Sequence, residues 1–387
     1  MITINKTNFP DANFRNWLLE QDYGKDGVLT EEAIKDVTVI DVSRQDISSL
    51  KGIEHFTALT ELRCFCNELT SLNVSGCAAL TILYCSDNQL TTLDLSGCTA
   101  LTELRCFCNK LTDLDLSGCT ALTELRCFGN KLTDLDLSGC TALKELRCFM
   151  NKLTDLDLSE CTALKKLDCS FNGLTTLDVS GCTALTELRC FLNKLTDLNL
   201  SGCTALKVLF CAQNNLTSLD LSGCTALKKL YCVQNNLTSL DVSGCTALTS
   251  IDCFGNKLTT LDLSGCTALT VLDCAINELT NLNVSGCTAL TSINCIGNKL
   301  TTLDLSGCTA LTFLHCYYNQ LKGAAMDRLI ESLPQKEGYG YLYVHKDKQP
   351  HDENVCTKAQ VTAARGKGWG VFAIYDKVRE DYEGCDA

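Results

Sequence analysis

No apolar run in this 387-residue sequence approaches the ~20 residues that a membrane-spanning helix needs. A basic excess is missing too. The chain carries 33 Lys and Arg against 46 Asp and Glu, a net charge of −13, which argues against a phosphate backbone or an anionic membrane surface as partner. Histidine is scarce: His55, His315, His345 and His351 are scattered. No nucleophile motif, phosphate loop or metal-ligand spacing accompanies them, so no enzymatic constellation is apparent. The start, MITINKTNFP, lacks the basic and apolar regions of a signal peptide. Two expectations follow: a cytoplasmic protein, or one whose export signal lies outside this sequence.

What the chain has in abundance is leucine and cysteine at a fixed interval. The unit LTELRCFCNKLTDLDLSGCTA (101–121) recurs with its first leucine at Leu59, Leu80, Leu101, Leu122, Leu143, Leu164, Leu185, Leu206, Leu227, Leu248, Leu269, Leu290 and Leu311, always 21 residues apart. A strict period of this size marks a solenoid. Each coil then touches only its neighbours, so length does not imply several domains. Both halves of the unit alternate apolar and polar residues, the period of a strand with one buried face. The expected coil is flattened, with a parallel strand at repeat positions 3–7 and a second extended segment at 13–17. Stacking makes two long ladders, with leucines and cysteines between them. Twenty-one residues leave no room for a full helix, so the fold class is a mainly β solenoid.

The 29 cysteines fall into columns. Thirteen occupy position 6 (Cys64 through Cys316), twelve position 19 (Cys77 through Cys308), and Cys66 and Cys108 position 8. Cys356 and Cys385 lie outside the array. An odd count cannot pair completely, and buried free cysteine behaves as a small hydrophobe. Two inward thiol columns filling the core are therefore expected. Disulfides between neighbouring coils stay open as an alternative, because ~4.8 Å strand spacing is within bridging reach. So does a Cys356–Cys385 bridge. A metal reading lacks a CxxC pair and a histidine at ligand spacing. Position 9 is asparagine in all thirteen units, from Asn67 to Asn319. At a tight corner its side chain can satisfy backbone groups that the ladder leaves unpaired. Ser-Gly at 17–18, with Glu160 replacing Gly once, makes the opposite corner.

The motif L-x-x-L-x-C-x-x-N-x-L resembles the leucine-rich repeat, specifically the short-repeat bacterial kind of secreted and surface proteins. The likeness covers residues 37–321, one 22-residue coil and then the thirteen units. It implies parallel β ladders and a non-catalytic recognition scaffold, secreted or displayed at the cell surface. Such a scaffold would bind protein, with glycan a second ligand class, through its exposed sheet face. The alternative is a structural or adhesion spacer without a face-borne ligand.

Terminal coils need covering. Residues 1–36 read as a helical amino-terminal cap, with Phe14, Trp17 and Leu18 on one helical face and Asp11 at its start. Residues 322–387 read as an α/β carboxy-terminal cap: a helix over 323–333, a strand at 341–344, a second helix capped by Thr357, and a strand in GWGVFAIYD. That order implies a parallel pair extending the ladder, with Trp369 in its core. In the first cap, DYGKDGVLTEE partly matches a calcium loop. Asp22, Asp26 and Glu32 would be the ligands, but Gly24 and Ala33 stand where acidic ligands belong. A plain turn before a short helix capped by Thr30 is the competing reading.

Candidate binding residues are sought where the repeat exposes unusual chemistry. The leucine-rich-repeat likeness turns positions 3, 5, 7 and 8 outward. Five units carry Glu-x-Arg-x-Phe there, placing Arg63, Phe65, Arg105, Phe107, Arg126, Phe128, Arg147, Phe149, Arg189 and Phe191 in columns. One reading is self-satisfaction, with glutamates neutralising arginines and phenylalanines stacking. The other is a partner site, since exposed aromatics and Arg are enriched at interaction hot spots. Further on, position 5 becomes Phe210, Tyr231, Asp252, Asp273, Asn294 and His315. The opposite side carries an Asp column at position 15, including Asp115, Asp136 and Asp157, for which solvation competes with calcium.

Overall fold

A computed structural model describes residues 1–346, 352–375 and 378–386. The chain is a parallel β-solenoid. It divides into two compact units, one formed by residues 1–185 with 192–194, the other by 186–191 with 195–387.

In the first unit, three-residue strands stack in parallel: Val39–Asp41, Glu61–Arg63, Ile82–Tyr84, Glu103–Arg105, Glu124–Arg126, Glu145–Arg147 and Lys166–Asp168. The repeat sets the register. Leu104 lies opposite Leu125 and Leu125 opposite Leu146, so the buried central column from Leu62 to Leu167 is leucine throughout. The second unit stacks Glu187–Arg189, Val208–Phe210, Lys229–Tyr231, Ser250–Asp252, Val271–Asp273, Ser292–Asn294 and Phe313–His315 in the same way.

The buried face is leucine and cysteine. Within one coil, Leu101, Leu104, Cys106 and Leu111 have no exposed area, and Leu114, Leu116 and Cys119 almost none. All 29 cysteines are free thiols, and every one except Cys66, Cys108 and Cys385 is buried. Position 19 does more than fill space. Its Sγ donates weakly to carbonyl oxygens of the preceding coil, as Cys98 does to Val74 (3.4 Å) and Cys287 to Leu263 (3.2 Å).

The asparagine ladder is a set of inter-coil bolts. Asn130 Nδ2 donates to the carbonyls of Cys127 in its own coil and Cys106 in the coil before, and its Oδ1 accepts from the Leu111 N–H. Asn256 repeats this with Cys253, Cys232 and Leu237. The preceding residue explains why such bonding is needed. Position 8 is left-handed in all thirteen units, with φ between 51° and 69°. Only three of these residues are glycine (Gly129, Gly255 and Gly297), while Met150, Phe171, Leu192 and Ile276 carry bulky side chains there. Each non-glycine residue costs roughly 1–2 kcal/mol in that conformation, which the asparagine bonds offset.

The second ladder forms only in places, against the expectation of two long ladders. Ser71–Asn73 pairs with Thr92–Asp94, and Thr260–Asp262 with Asn281–Asn283. Over 113–115, 134–136 and 155–157 there is no strand. Those coils carry Asp at both positions 13 and 15. Asp is a poor strand former, and like charges directly opposite one another oppose pairing. Nothing in the structure explains the equivalent gap at 218–220 and 239–241.

The amino-terminal helix, Ala12–Glu20, buries Phe14 and Leu18, with Trp17 partly covered. Asp11 accepts from the Phe14 N–H at the helix start, and its other oxygen takes the Ser48 N–H and hydroxyl, tying cap to first coil. At the other end, helices Ala324–Ser332 and Lys358–Gly366 alternate with strands Gly340–Lys346 and Trp369–Tyr375, which extend the parallel ladder. Thr357 and Gln360 form a reciprocal capping box. Trp369 is buried and donates from Nε1 to the Pro334 carbonyl. Val378–Asp381 adds an antiparallel edge strand that no sequence signal announced. Asn354, outside the repeat, continues the bolt column: it accepts from Leu321 N–H and donates to Cys316 and Val344 carbonyls.

Candidate binding face

Every outward residue of the strands sits on a rigid rung, so side chains 21 positions apart are held in contact. In the first unit this aligns the Glu-Arg-Phe triplets. Arg126 Nε lies 2.7 Å from Glu124 of its own strand, and its terminal nitrogen 3.4 Å from Glu145 on the next. Arg105 likewise spans Glu103 and Glu124. The Arg126 Nε contact is ionic, out of line for a hydrogen bond. Arg63 and Arg189, in contrast, donate from Nε to Glu61 and Glu187. Such partly exposed pairs are worth roughly 0–1 kcal/mol each.

The phenyl column is also ordered. Phe107 stacks on Phe128 at 4.4 Å between centroids, and Phe128 on Phe149 at 4.2 Å, nearly coplanar in orientation at 8° and 9°. Tyr84 interrupts the triplets and lies between two guanidinium groups, Arg63 at 5.6 Å and Arg105 at 4.4 Å. In the second unit Arg189 covers Phe210 at 5.1 Å, and Phe210 stacks on Tyr231 at 4.5 Å. Of the ten predicted side chains, Phe107, Phe128 and Phe149 form a continuous half-buried strip, Arg63 and Arg105 flank Tyr84, Phe65 lies under Arg44 at 5.7 Å, and Arg189 and Phe191 lie in the second unit. Their arginines are already engaged by the chain's own glutamates, so the strip is the part of each triplet open to a partner.

The amino-terminal carboxylates are placed apart. Asp22 pairs with Lys25 at 3.5 Å and Glu32 with Lys35 at 2.7 Å, and Asp26 is exposed. Gly27 turns the loop with φ 76°, leading to the short pairing of Ile2–Thr3 with Val28–Leu29, and Thr30 caps Glu31–Ile34. Among the described residues, no three His, Cys, Asp or Glu side chains converge as a metal site would require.

The Asp column has a role that charge counting missed. Asp136 Oδ1 accepts the Ser138 N–H at 2.8 Å, and Asp115, Asp157, Asp220, Asp241, Asp262 and Asp304 do the same two residues on. These bonds hold the carboxyls below their ordinary range. Asn73 and Asn283 make the same turn without charge. A repeated Asp-x-Ser is the signal that could have revealed it.

Of the histidines, His315 is half-buried on the strand face, His55 lies edge-on to Phe9 in the first unit, His345 is 3.4 Å from Asp352, and His351 lies outside the described residues. Burial pushes the thiols up, to about 12 at Cys106 and about 11 at Cys119, so they are held protonated and inert.

Known proteins share this arrangement. The functional domain of InlJ from Listeria monocytogenes, described as including a cysteine ladder, is 33% identical, covering 89% of this chain and 82% of that one with a TM-score of 0.69. The chain belongs to the bacterial leucine-rich-repeat proteins. The family model "Leucine Rich repeats (2 copies)" matches residues 79–118, 120–160 and 204–245. An internalin, InlF of Listeria monocytogenes, shares the fold at 24% identity, covering 83% of this chain and 98% of that one with a TM-score of 0.66. So does YopM, an effector of Yersinia pestis, at 24% identity, covering 79% and 83% with a TM-score of 0.60. No curated protein sequence matches. Leucine-rich-repeat proteins of the internalin type are protein-binding scaffolds, and this fold is in general non-enzymatic. Among the described residues, no helix is long and apolar enough to cross a membrane.

Proposed function

We propose that this leucine-rich-repeat protein is a non-catalytic scaffold that binds a protein partner through its strand face, after secretion or at a bacterial surface. The observation that carries the reading is the Phe107–Phe128–Phe149 strip. It is a half-buried aromatic surface on a rigid ladder, flanked by guanidinium groups, and supplies the residue types that dominate binding energy at protein interfaces. Rigid presentation also reduces the entropy lost on association. A glycan would use the same aromatic faces and remains the second ligand class.

The test is capture of surface or host proteins by the intact chain beside the double variant Arg126→Ala, Phe128→Ala, with folding checked by circular dichroism. A protein partner should be retained by the first and lost by the second. Equal capture by both would sink the assignment to this strip. The spacer reading draws on one observation, the pairing of each arginine by the chain's own glutamates. In that case function tolerates the double variant and fails when whole coils, such as 122–142, are deleted.

A further inference from the structure

In the second unit the strand face changes chemistry after Tyr231. Asp252 and Asp273 lie opposite one another on adjacent strands, both half-buried. Neither forms an ion pair with any described residue. Among the described residues, their oxygens accept only from the backbone N–H groups of Phe254 (3.2 Å) and Ala275 (3.0 Å) and from the Asn294 side chain (2.9 Å). The neighbouring ladder cation, Lys229, sits across from Ser250, is exposed, and does not reach them. This inverts the first unit, where Glu103, Glu124 and Glu145 each carry an arginine of the chain itself. Burial pushes the Asp252 carboxyl above its ordinary range, and the charge of Asp273 adds to that.

The surroundings are mixed. Val271, 43% exposed, lies between Ser250 and Ser292 on the neighbouring strands, and Ile276 at the adjoining corner is 48% exposed. Phe313 lies 4.8 Å from the ring of His315, which meets Tyr343 edge-on at 4.2 Å. The His315 Nε2 is buried with no hydrogen-bond partner among the described residues. Two carboxylates with no ion pair to any described residue, beside the exposed Val271, make a surface complementary to a cation on an apolar stem.

We propose that the Asp252–His315 stretch docks a partner polypeptide presenting a guanidinium or ammonium group next to an apolar side chain. The cation sits between Asp252 and Asp273, and the apolar side chain covers Val271, on the same strand as Asp273. This deepens the scaffold reading and rests on it, but uses a different surface from the phenylalanine strip.

The experiment uses the full chain and three ten-residue probe peptides that share one phenylalanine and differ at the adjacent position, Arg, Gln or Glu. Fluorescence anisotropy at low salt should give at least tenfold tighter binding of the Arg peptide. The variant Asp252→Asn, Asp273→Asn keeps an Oδ1 acceptor for the Phe254 and Ala275 N–H groups and should lose that preference. Asp220→Asn, Asp241→Asn makes the same charge change on the Asp column and should retain it. Equal binding of the Arg and Glu peptides overturns the proposal. So does an equal loss in both double variants, which would mean net charge alone. Retention of the Arg preference in Arg126→Ala, Phe128→Ala separates this surface from the strip, so each assignment can fail without the other.

Discussion

Asn130 Nδ2 lies 3.0 Å from the carbonyl oxygen of Cys106, a residue one full coil earlier. The same amide also holds Cys127, and its oxygen holds the Leu111 N–H. One side chain thus closes the corner of its own coil and fastens it to the preceding one. Asn130→Ala leaves the Leu111 N–H unpaired in a buried corner, while the Cys106 and Cys127 carbonyls each keep a second asparagine, Asn109 and Asn151. The expected cost is ~1–3 kcal/mol for that buried group. Hydrogen exchange gives the local readout: protection of the Leu111 amide should collapse while the Leu237 amide, held by Asn256, stays protected.

The thiol columns make a second prediction, about accessibility. An aromatic disulfide reagent should modify Cys66, Cys108 and Cys385 in the native protein and reach the remaining thiols only in denaturant. Rapid native labelling of more than about five, or a denatured count well short of 29 without reductant, would contradict the free-thiol core.

Alkali should unfold the protein abruptly. Burial raises the folded-state thiol values to about 11 at Cys98 and Cys245 and about 12 at Cys211 and Cys295, whereas an unfolded thiol titrates near 8.5. The raised acid keeps its proton in the fold, so stability is full below ~8.5 and is lost as pH climbs from there toward 11–12. Each thiol contributes ~1.4 kcal/mol per pH unit within that window. With two buried thiols in each of twelve coils, circular dichroism under reductant should show collapse between about pH 9 and 10. A chain still folded at pH 11 would be incompatible with buried thiols.

Acid acts through the Asp column with the opposite sign. Ser138 N–H bonding holds the Asp136 carboxyl below its ordinary range, so its contribution is present above about pH 4 and is lost as pH falls through the depressed folded value. Replacing Asp136 by Asn, the residue that already makes this turn at Asn73 and Asn283, should keep the turn and remove its share of acid sensitivity. A lower thermal midpoint at neutral pH in that variant would show that charge, not the hydrogen bond, matters there.

The period and alternation made the solenoid legible, because a one-residue register slip would turn Leu104 and Cys106 outward. The corner asparagine was legible for a similar reason: a polar residue in a fixed column among leucines has to be bonded. What stayed hidden depends on distances between coils. Nothing in the letters says that Arg105 reaches both Glu103 and Glu124, or that Asp252 and Asp273 form no ion pair with a described residue. The broken second ladder was hidden too, since Leu114 and Leu116 alternate as a strand would, and only charges stacked on neighbouring coils oppose pairing. In the candidate face, the residue types were readable and their engagement was not.

The left-handed corner gives the sharpest test of how the repeat tolerates variation. Met150 and Gly129 occupy the same position in adjacent coils, with φ 54° and 65°. Met150 is 56% exposed, so removing its side chain forfeits little packing. In Met150→Gly the relief of left-handed strain, ~1–2 kcal/mol, exceeds the extra flexibility of unfolded glycine, ~0.5–1. Thermal denaturation should therefore show a variant about 0.5 kcal/mol more stable. Gly129→Ala runs the argument backwards. A Cβ there has room, since Cys108 Sγ is 3.4 Å away, so the loss of about 1 kcal/mol comes from backbone strain alone. If Met150→Gly is destabilising while Gly129→Ala is neutral, position 8 is not strained, and the asparagine bonds need offset nothing.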